Sequence, residues 1–114
     1  MLKKTVLRRK SDFSNIYKKG KSVGERCVVI FVRKNGLPYN RIAFLASKKV
    51  GNSVKRNRAR RLMKESYREI RETIAEGYDI VFIARNTICG LKCVDVKRSM
   101  ESAVRKAGVI RLTD

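Results

Sequence analysis

Histidine is absent from this chain, and only 10 residues are aspartate or glutamate. Without imidazole, the usual general base at neutral pH is missing, as is any Ser-His or Cys-His nucleophile pair. So few carboxylates leave little from which to assemble an acid/base couple or a metal site. Cysteine is scarce as well. Cys27, Cys89 and Cys93 are odd in number, and a C-x3-C pair with one distant thiol and no histidine argues against zinc. Reduced structural thiols in a reducing compartment are the expectation. Long apolar runs are also lacking: none approaches a membrane span, and the N-terminus has no apolar signal-peptide core. These absences predict a cytoplasmic protein with no membrane association, no catalytic residue and no metal ligand of its own.

What the chain has in excess is positive charge. There are 29 Lys+Arg among 114 residues, giving a formal charge of +19 and a pI near 10.6. Such a balance points to RNA, DNA or an anionic membrane surface as partner. With 43% apolar residues the chain still has enough for one modest core, so a single domain over 1–114 is expected.

The charge is concentrated in residues 47–65, SKKVGNSVKRNRARRLMKE. This stretch opens as a loop around Gly51 and Asn52, then takes on helical periodicity from about 54 to 75. At about 100 degrees per residue, Leu62, Met63, Ser66, Tyr67, Ile70 and Ile74 gather on one side around Ala59. Asn57, Arg60, Arg61, Lys64, Arg68 and Arg71 share the opposite arc, while Glu65, Glu69 and Glu72 fall in a third sector with Arg58. A solvated face would interleave acids at i,i+4 to relieve self-repulsion. Here they stand to one side, so the cationic arc is read as a contact surface for a polyanion. A membrane surface fits less well, because the apolar stripe of this helix is needed for a core.

Residues 1–10 carry Lys3, Lys4, Arg8, Arg9 and Lys10 and read as a flexible basic arm. Ser11 is the expected N-cap of a short helix over 12–19, with Gly20 as its stop. Phe13, Ile16 and Tyr17 share a face of it, and two readings stay open: all three are core, or the aromatics form a base-stacking platform among lysines. Residues 27–32 form a strand apolar on both faces, and 22–26 can supply a separate short one. Asn35-Gly36-Leu37-Pro38 is a turn signal before a strand at 41–47, which predicts an antiparallel hairpin between 27–32 and 41–47. A further strand at 78–84 completes a β-α-β unit with 41–47 and the long helix. Residues 86–92 are loop-like, and a last helix spans 93–107 with Gly108 as its stop. There are no internal repeats and no interdomain linkers.

The run from Ser47 to Arg58, followed by Arg61 and Glu65, resembles the signature of the bacterial ribonuclease P protein-subunit family. Phe13-x3-Tyr17-x2-Gly20 and the Tyr78-Asp79-Ile80-Val81 strand extend the resemblance over about 10–107. It implies an α+β domain of α-β-β-β-α-β-α order, with a central four-stranded sheet and a left-handed β-α-β crossover. That hand runs against the general preference. A similar fold occurs in a ribosomal small-subunit protein domain.

The resemblance further implies a basic cofactor protein that binds a catalytic RNA subunit and the 5′ leader of precursor tRNA, with no protein partner required. Leader removal would rely on Mg²⁺ held mainly by the RNA. By position, Lys49, Asn52, Arg56, Asn57, Arg58, Arg60, Arg61, Lys64 and Arg68 resemble the family's RNA-subunit contacts. Phe13, Tyr17 and Phe31 resemble the residues lining the leader's path. Ser53, Arg60 and Ala43 depart from the usual alanine, lysine and glycine without removing either surface. A non-catalytic RNA-binding protein of ribosomal type is the competing reading.

Overall fold

In the computed structural model, which describes residues 4–111, the apolar runs become the strands of one mixed sheet. The elements in chain order are α1 (Lys10–Lys19), β1 (Lys21–Gly24), β2 (Val28–Lys34), β3 (Arg41–Ala46), α2 (Ser53–Ile70), β4 (Tyr78–Ala84) and α3 (Cys93–Lys106). Strand order is β1-β2-β4-β3; β3 runs parallel to β4, and the other neighbours are antiparallel. The α+β class, the element order and the four-stranded sheet thus follow expectation.

The expected hairpin does not form. Strand β4 lies between β2 and β3, so those two strands never pair. The cause lies in residues 35–40, which turn through Asn35 bonds to Leu37 and Tyr39 and also bind the chain entering β4. Asn40 accepts a hydrogen bond from the Tyr78 N–H (2.8 Å) and donates to the Ala75 carbonyl (3.0 Å). Asn35 donates its backbone N–H to Gly77 and its side-chain amide to Asp79. Burial favours the same order, because Ile80, Val81 and Phe82 of β4 are fully buried and need cover on both faces, which only an interior strand receives.

Strand alternation gives the sheet two dissimilar faces. Val28, Ile30 and Val32 align with Ala84, Phe82 and Ile80, and these with Ala46, Phe44 and Ile42. Helices α2 and α3 cover this face with Ala59, Met63, Ile70, Val96, Met100 and Val104. Tyr67 of α2 packs on Phe44 and Phe82, with centroids 5.7 and 5.8 Å away. The opposite face carries the rows Val29–Ile83–Leu45, Phe31–Val81–Ala43 and Arg33–Asp79–Arg41. It holds a smaller apolar cluster, in which Ile16 of α1 and Leu7 meet Val81 and Ala43.

Several boundaries differ from expectation. Helix α2 ends at Ile70 and continues only as a 3₁₀ turn over Arg71–Thr73, since Ile74 is extended and bridged to Ile110. The N-cap of α1 is Arg9, not Ser11, and no side chain caps it. Gly20 does not stop α1 in a left-handed conformation; its φ is −82°. Its function is steric, because a Cβ there would lie 2.4 Å from the Ile16 carbonyl oxygen and 2.6 Å from that of Val32. Asn86–Ile88, expected as loop, forms a 3₁₀ turn. All three cysteines are free; Cys89 is exposed, with its thiol donating to the Val50 carbonyl at 3.2 Å. Of the expected basic arm, residues 1–3 lie outside the described residues. Farther along it, Thr5 and Leu7 pair with Ile42 on the outer edge of β3, and Leu7 is buried.

Candidate nucleic-acid interface

The first surface begins in the loop before α2. Val50 is buried and anchors it, and the Val50 and Gly51 N–H groups bond to the carbonyls of Ser47 and Lys48. Asn52 caps the helix by accepting from the Lys55 N–H at 3.0 Å. Gly51, at φ 141°, occupies a conformation that favours glycine. The first turn of α2 holds no acid. Lys55 and Arg56 therefore sit at the positive end of the helix dipole, an arrangement that costs stability unless an anion is bound there.

Along the helix, Asn57, Arg61, Lys64 and Arg68 are exposed, and Arg56 and Arg60 are half-buried. Among the described residues, none of Arg56, Arg60, Arg61, Lys64 and Arg68 forms an ion pair with a carboxylate. Arg60 donates to Asn57, and Arg56 donates to the Ser53 hydroxyl at 3.2 Å. The Arg56 Nε is buried without a hydrogen-bond partner among the described residues. Lys49 and Asn52 are exposed in the preceding loop, so these candidates share one surface. Arg58 sits differently. Its guanidinium donates to the Leu91 carbonyl at 3.1 Å, and Glu69 in the same sector lies 4.0 Å from Lys97 of α3. The part of this sector that holds Arg58 and Glu69 is thus turned toward α3, away from the cationic arc.

The second surface is a cleft between α1 and the sheet. Phe13, Tyr17 and Phe31 come together there: the Tyr17 and Phe31 rings meet edge to face at 5.0 Å, and Phe13 lies 6.3 Å from Tyr17. Ile16 is fully buried, whereas Tyr17 is 41% exposed, so the shared helix face divides between core and surface. Burial of part of the ring pushes the Tyr17 phenol above its ordinary pKa. Half-buried Val29, Ile83 and Leu45 continue the floor beyond the aromatic cluster. These three were missed from sequence; strand alternation would have named them once the face covered by α1 was known.

A charged tie holds α1 in place. Arg41 donates to both oxygens of buried Asp79, at 2.8 and 2.6 Å, and reaches Asp12 of α1 at 3.5 Å. The Asp79 hydrogen bonds push the Arg41 pKa up. Both carboxylates are committed to this arginine, and Glu25 is held by Ser102 and Lys106, which lower its pKa. Hydrogen bonds to the charged form are the dominant cause. Among the described residues no three His, Cys, Asp or Glu side chains group as a metal site, and acids already paired with cations do not fit a divalent ion. No helix among the described residues is long and apolar enough to cross a membrane.

Comparison with known proteins agrees with this architecture. Residues 1–108 match the family model described as Ribonuclease P. The chain is 46% identical over 99 residues to the ribonuclease P protein component of Alkaliphilus oremlandii (strain OhILAs), covering 86% of this chain and 82% of that protein. It is 43% identical over 104 residues to that of Clostridioides difficile (strain 630), with 90% and 91% covered. Its fold is similar to the Staphylococcus aureus RNase P protein, with a TM-score of 0.85, 31% identity, and coverage of 96% of this chain and 100% of that one. The RNase P protein from Thermotoga maritima gives a TM-score of 0.80 at 30% identity, with 88% and 94% covered.

Proposed function

The chain belongs to the ribonuclease P family, and from that premise we propose that it is the protein subunit of a ribonuclease P ribonucleoprotein, binding the catalytic RNA through α2 and the 5′ leader of precursor tRNA through the aromatic cleft. The observation that carries this reading is the segregation on α2: five basic side chains without carboxylate partners among the described residues, with Arg58 and Glu69 turned toward α3. A face of unpaired arginines is repelled by itself and completed by phosphates, to which a planar guanidinium donates two parallel hydrogen bonds. The cleft supports the second half of the reading. Unpaired bases stack on exposed aromatic rings with little sequence preference, at about 1–3 kcal/mol per base, which suits an enzyme that handles many leaders.

In this scheme the protein positions substrate and neutralises phosphate charge. Hydrolysis of the phosphodiester belongs to the RNA subunit, and Mg²⁺ held there supplies activation of the attacking water. Three of the protein's carboxylates are already engaged, Asp12 and Asp79 with Arg41 and Glu25 with Ser102 and Lys106. The test is reconstitution with a bacterial ribonuclease P RNA at low Mg²⁺, measuring 5′ maturation of a precursor tRNA. Stimulation above RNA alone is expected, and its absence overturns the reading.

A further inference from the structure

A groove of about 620 Å³ runs along the outer edge of β3, between the N-terminal segment and α2, touching the aromatic cleft at Phe13 and Leu45 and the cationic face at Lys64. Its size falls in the range of small-ligand sites. One wall is Thr5 to Leu7; the other is formed by Tyr67 and Lys64 of α2 and by Arg71, which continues the cationic arc past the helix end. Between them the edge of β3 is only partly closed. Ile42 donates to Thr5 and accepts from Leu7. Strand alternation turns the N–H and C=O of Phe44, two residues on, toward the same side. Arg9 has by then become the N-cap of α1, so the pairing stops, and among the described residues nothing bonds to the Phe44 backbone on that side.

We propose that this groove takes a single unpaired nucleotide of an RNA strand bound to the protein, its base edge reading the open Phe44 peptide groups and its phosphate meeting Lys64 and Arg71. The inference rests on the function proposed above and adds a third contact, which adjoins the aromatic cluster at Phe13 but lies away from Tyr17 and Phe31. Three features of the groove match a nucleotide. An outward N–H and C=O on one residue offer the donor and acceptor that base edges require. Tyr67 and Phe44 provide an apolar wall for the ring. Charge also favours an anion, for Arg111 is balanced by Glu76 at 3.6 Å, leaving Lys64 and Arg71 against Glu72 alone.

The free protein, labelled with nitrogen-15, is titrated with AMP and in parallel with inorganic phosphate. A shift of the Phe44 amide resonance is expected with AMP and not with phosphate, and Arg71→Ala should weaken AMP binding about tenfold, the loss of one charge-assisted hydrogen bond. Equal shifts with phosphate would reduce the groove to a simple anion site, and no shift at Phe44 would leave it to a peptide strand or to nothing; both overturn the proposal. Hydrogen exchange in the reconstituted complex then identifies the source. Slower exchange across 42–46 on adding the RNA subunit assigns the nucleotide to that RNA, and slowing only with precursor tRNA assigns it to the leader. Protection of α2 without protection of 42–46 refutes the groove and leaves the proposed function standing, whereas protection of neither removes both.

Discussion

The cationic face of α2 comes from one continuous helix and the loop that caps it, while the aromatic cleft is assembled from α1, β2, β3 and β4. Residues 47–71 would present the first surface wherever that helix formed. The second exists only while α1 keeps its place on the sheet, held by Ile16 in the small apolar cluster, by the Asp12–Arg41–Asp79 tie and by the close approach at Gly20. Under the proposed division of labour, the grip on the catalytic RNA should therefore be robust to tertiary disturbance and the grip on the leader sensitive to it.

The largest expected effect tests that asymmetry directly. In Gly20→Ala the new Cβ would lie 2.4 and 2.6 Å from two backbone oxygens, which cannot rotate away as a flexible side chain could. Helix α1 must then shift relative to β2, at about 1–3 kcal/mol. Thermal unfolding should show the loss, KM for leader-bearing precursors should rise, and affinity for the RNA subunit should stay within twofold. A parallel fall in RNA-subunit affinity would mean that the two surfaces are not independent.

Tyr17→Ala separates stacking from packing. The ring is 41% exposed and its main contact is the edge-to-face meeting with Phe31, so stability should fall by only about 1 kcal/mol. Loss of one stacked base should cost about 1–3 kcal/mol, raising KM for leader-bearing precursors roughly 5- to 150-fold. Tyr17→Phe should restore most of the affinity, and a precursor without leader should not respond to either variant. Failure of Tyr17→Ala to fold would show that the ring belongs to the core.

The same contrast explains what could be read from the residues alone. The two faces of α2 follow from a 3.6-residue period, a local property, and the structure places Ala59, Met63 and Ile70 inside and Arg61, Lys64 and Arg68 outside as that period requires. The end of the helix was less legible, because Ile74 fits the helical stripe but is drawn into an extended bridge with Ile110. The cleft was least legible. Which side of β2 meets α1 depends on β4 inserting between β2 and β3, and that in turn depends on Asn35 and Asn40 bonding to the start of β4. Asn-Gly at 35–36 is a valid turn signal, but it does not reveal which strand the chain will pair with afterwards. Phe13 and Tyr17 were placed near the leader by family resemblance; their residue types alone left core and surface equally open.

Within α2 the finer comparison is between Arg61 and Arg58. Arg61 is exposed and forms no ion pair among the described residues. Arg61→Ala should leave the melting temperature unchanged and lower the salt dependence of RNA-subunit binding by about one unit in the log–log slope, the signature of one lost phosphate contact. An unchanged slope would remove Arg61 from the interface.

Arg58 should give the smallest effect on binding and the reverse pattern. Its guanidinium donates to the Leu91 carbonyl, joining α2 to the turn that leads into α3, on the sector where Glu69 approaches Lys97. Arg58→Ala frees that carbonyl, but Arg58 is exposed and water can replace the bond, so about 0.5–1.5 kcal/mol of stability is the expected loss. Its side chain is already committed to the seam, so the salt slope should change by clearly less than in Arg61→Ala. The two substitutions remove the same charge from the same helix, three residues apart, and long-range attraction to a polyanion hardly distinguishes them. Any difference in slope therefore reports direct contact. If Arg58→Ala lowers the slope as much as Arg61→Ala and leaves the melting temperature intact, then Arg58 leaves Leu91 to meet phosphate when RNA binds, and the contact face wraps farther around α2 than the unbound arrangement implies.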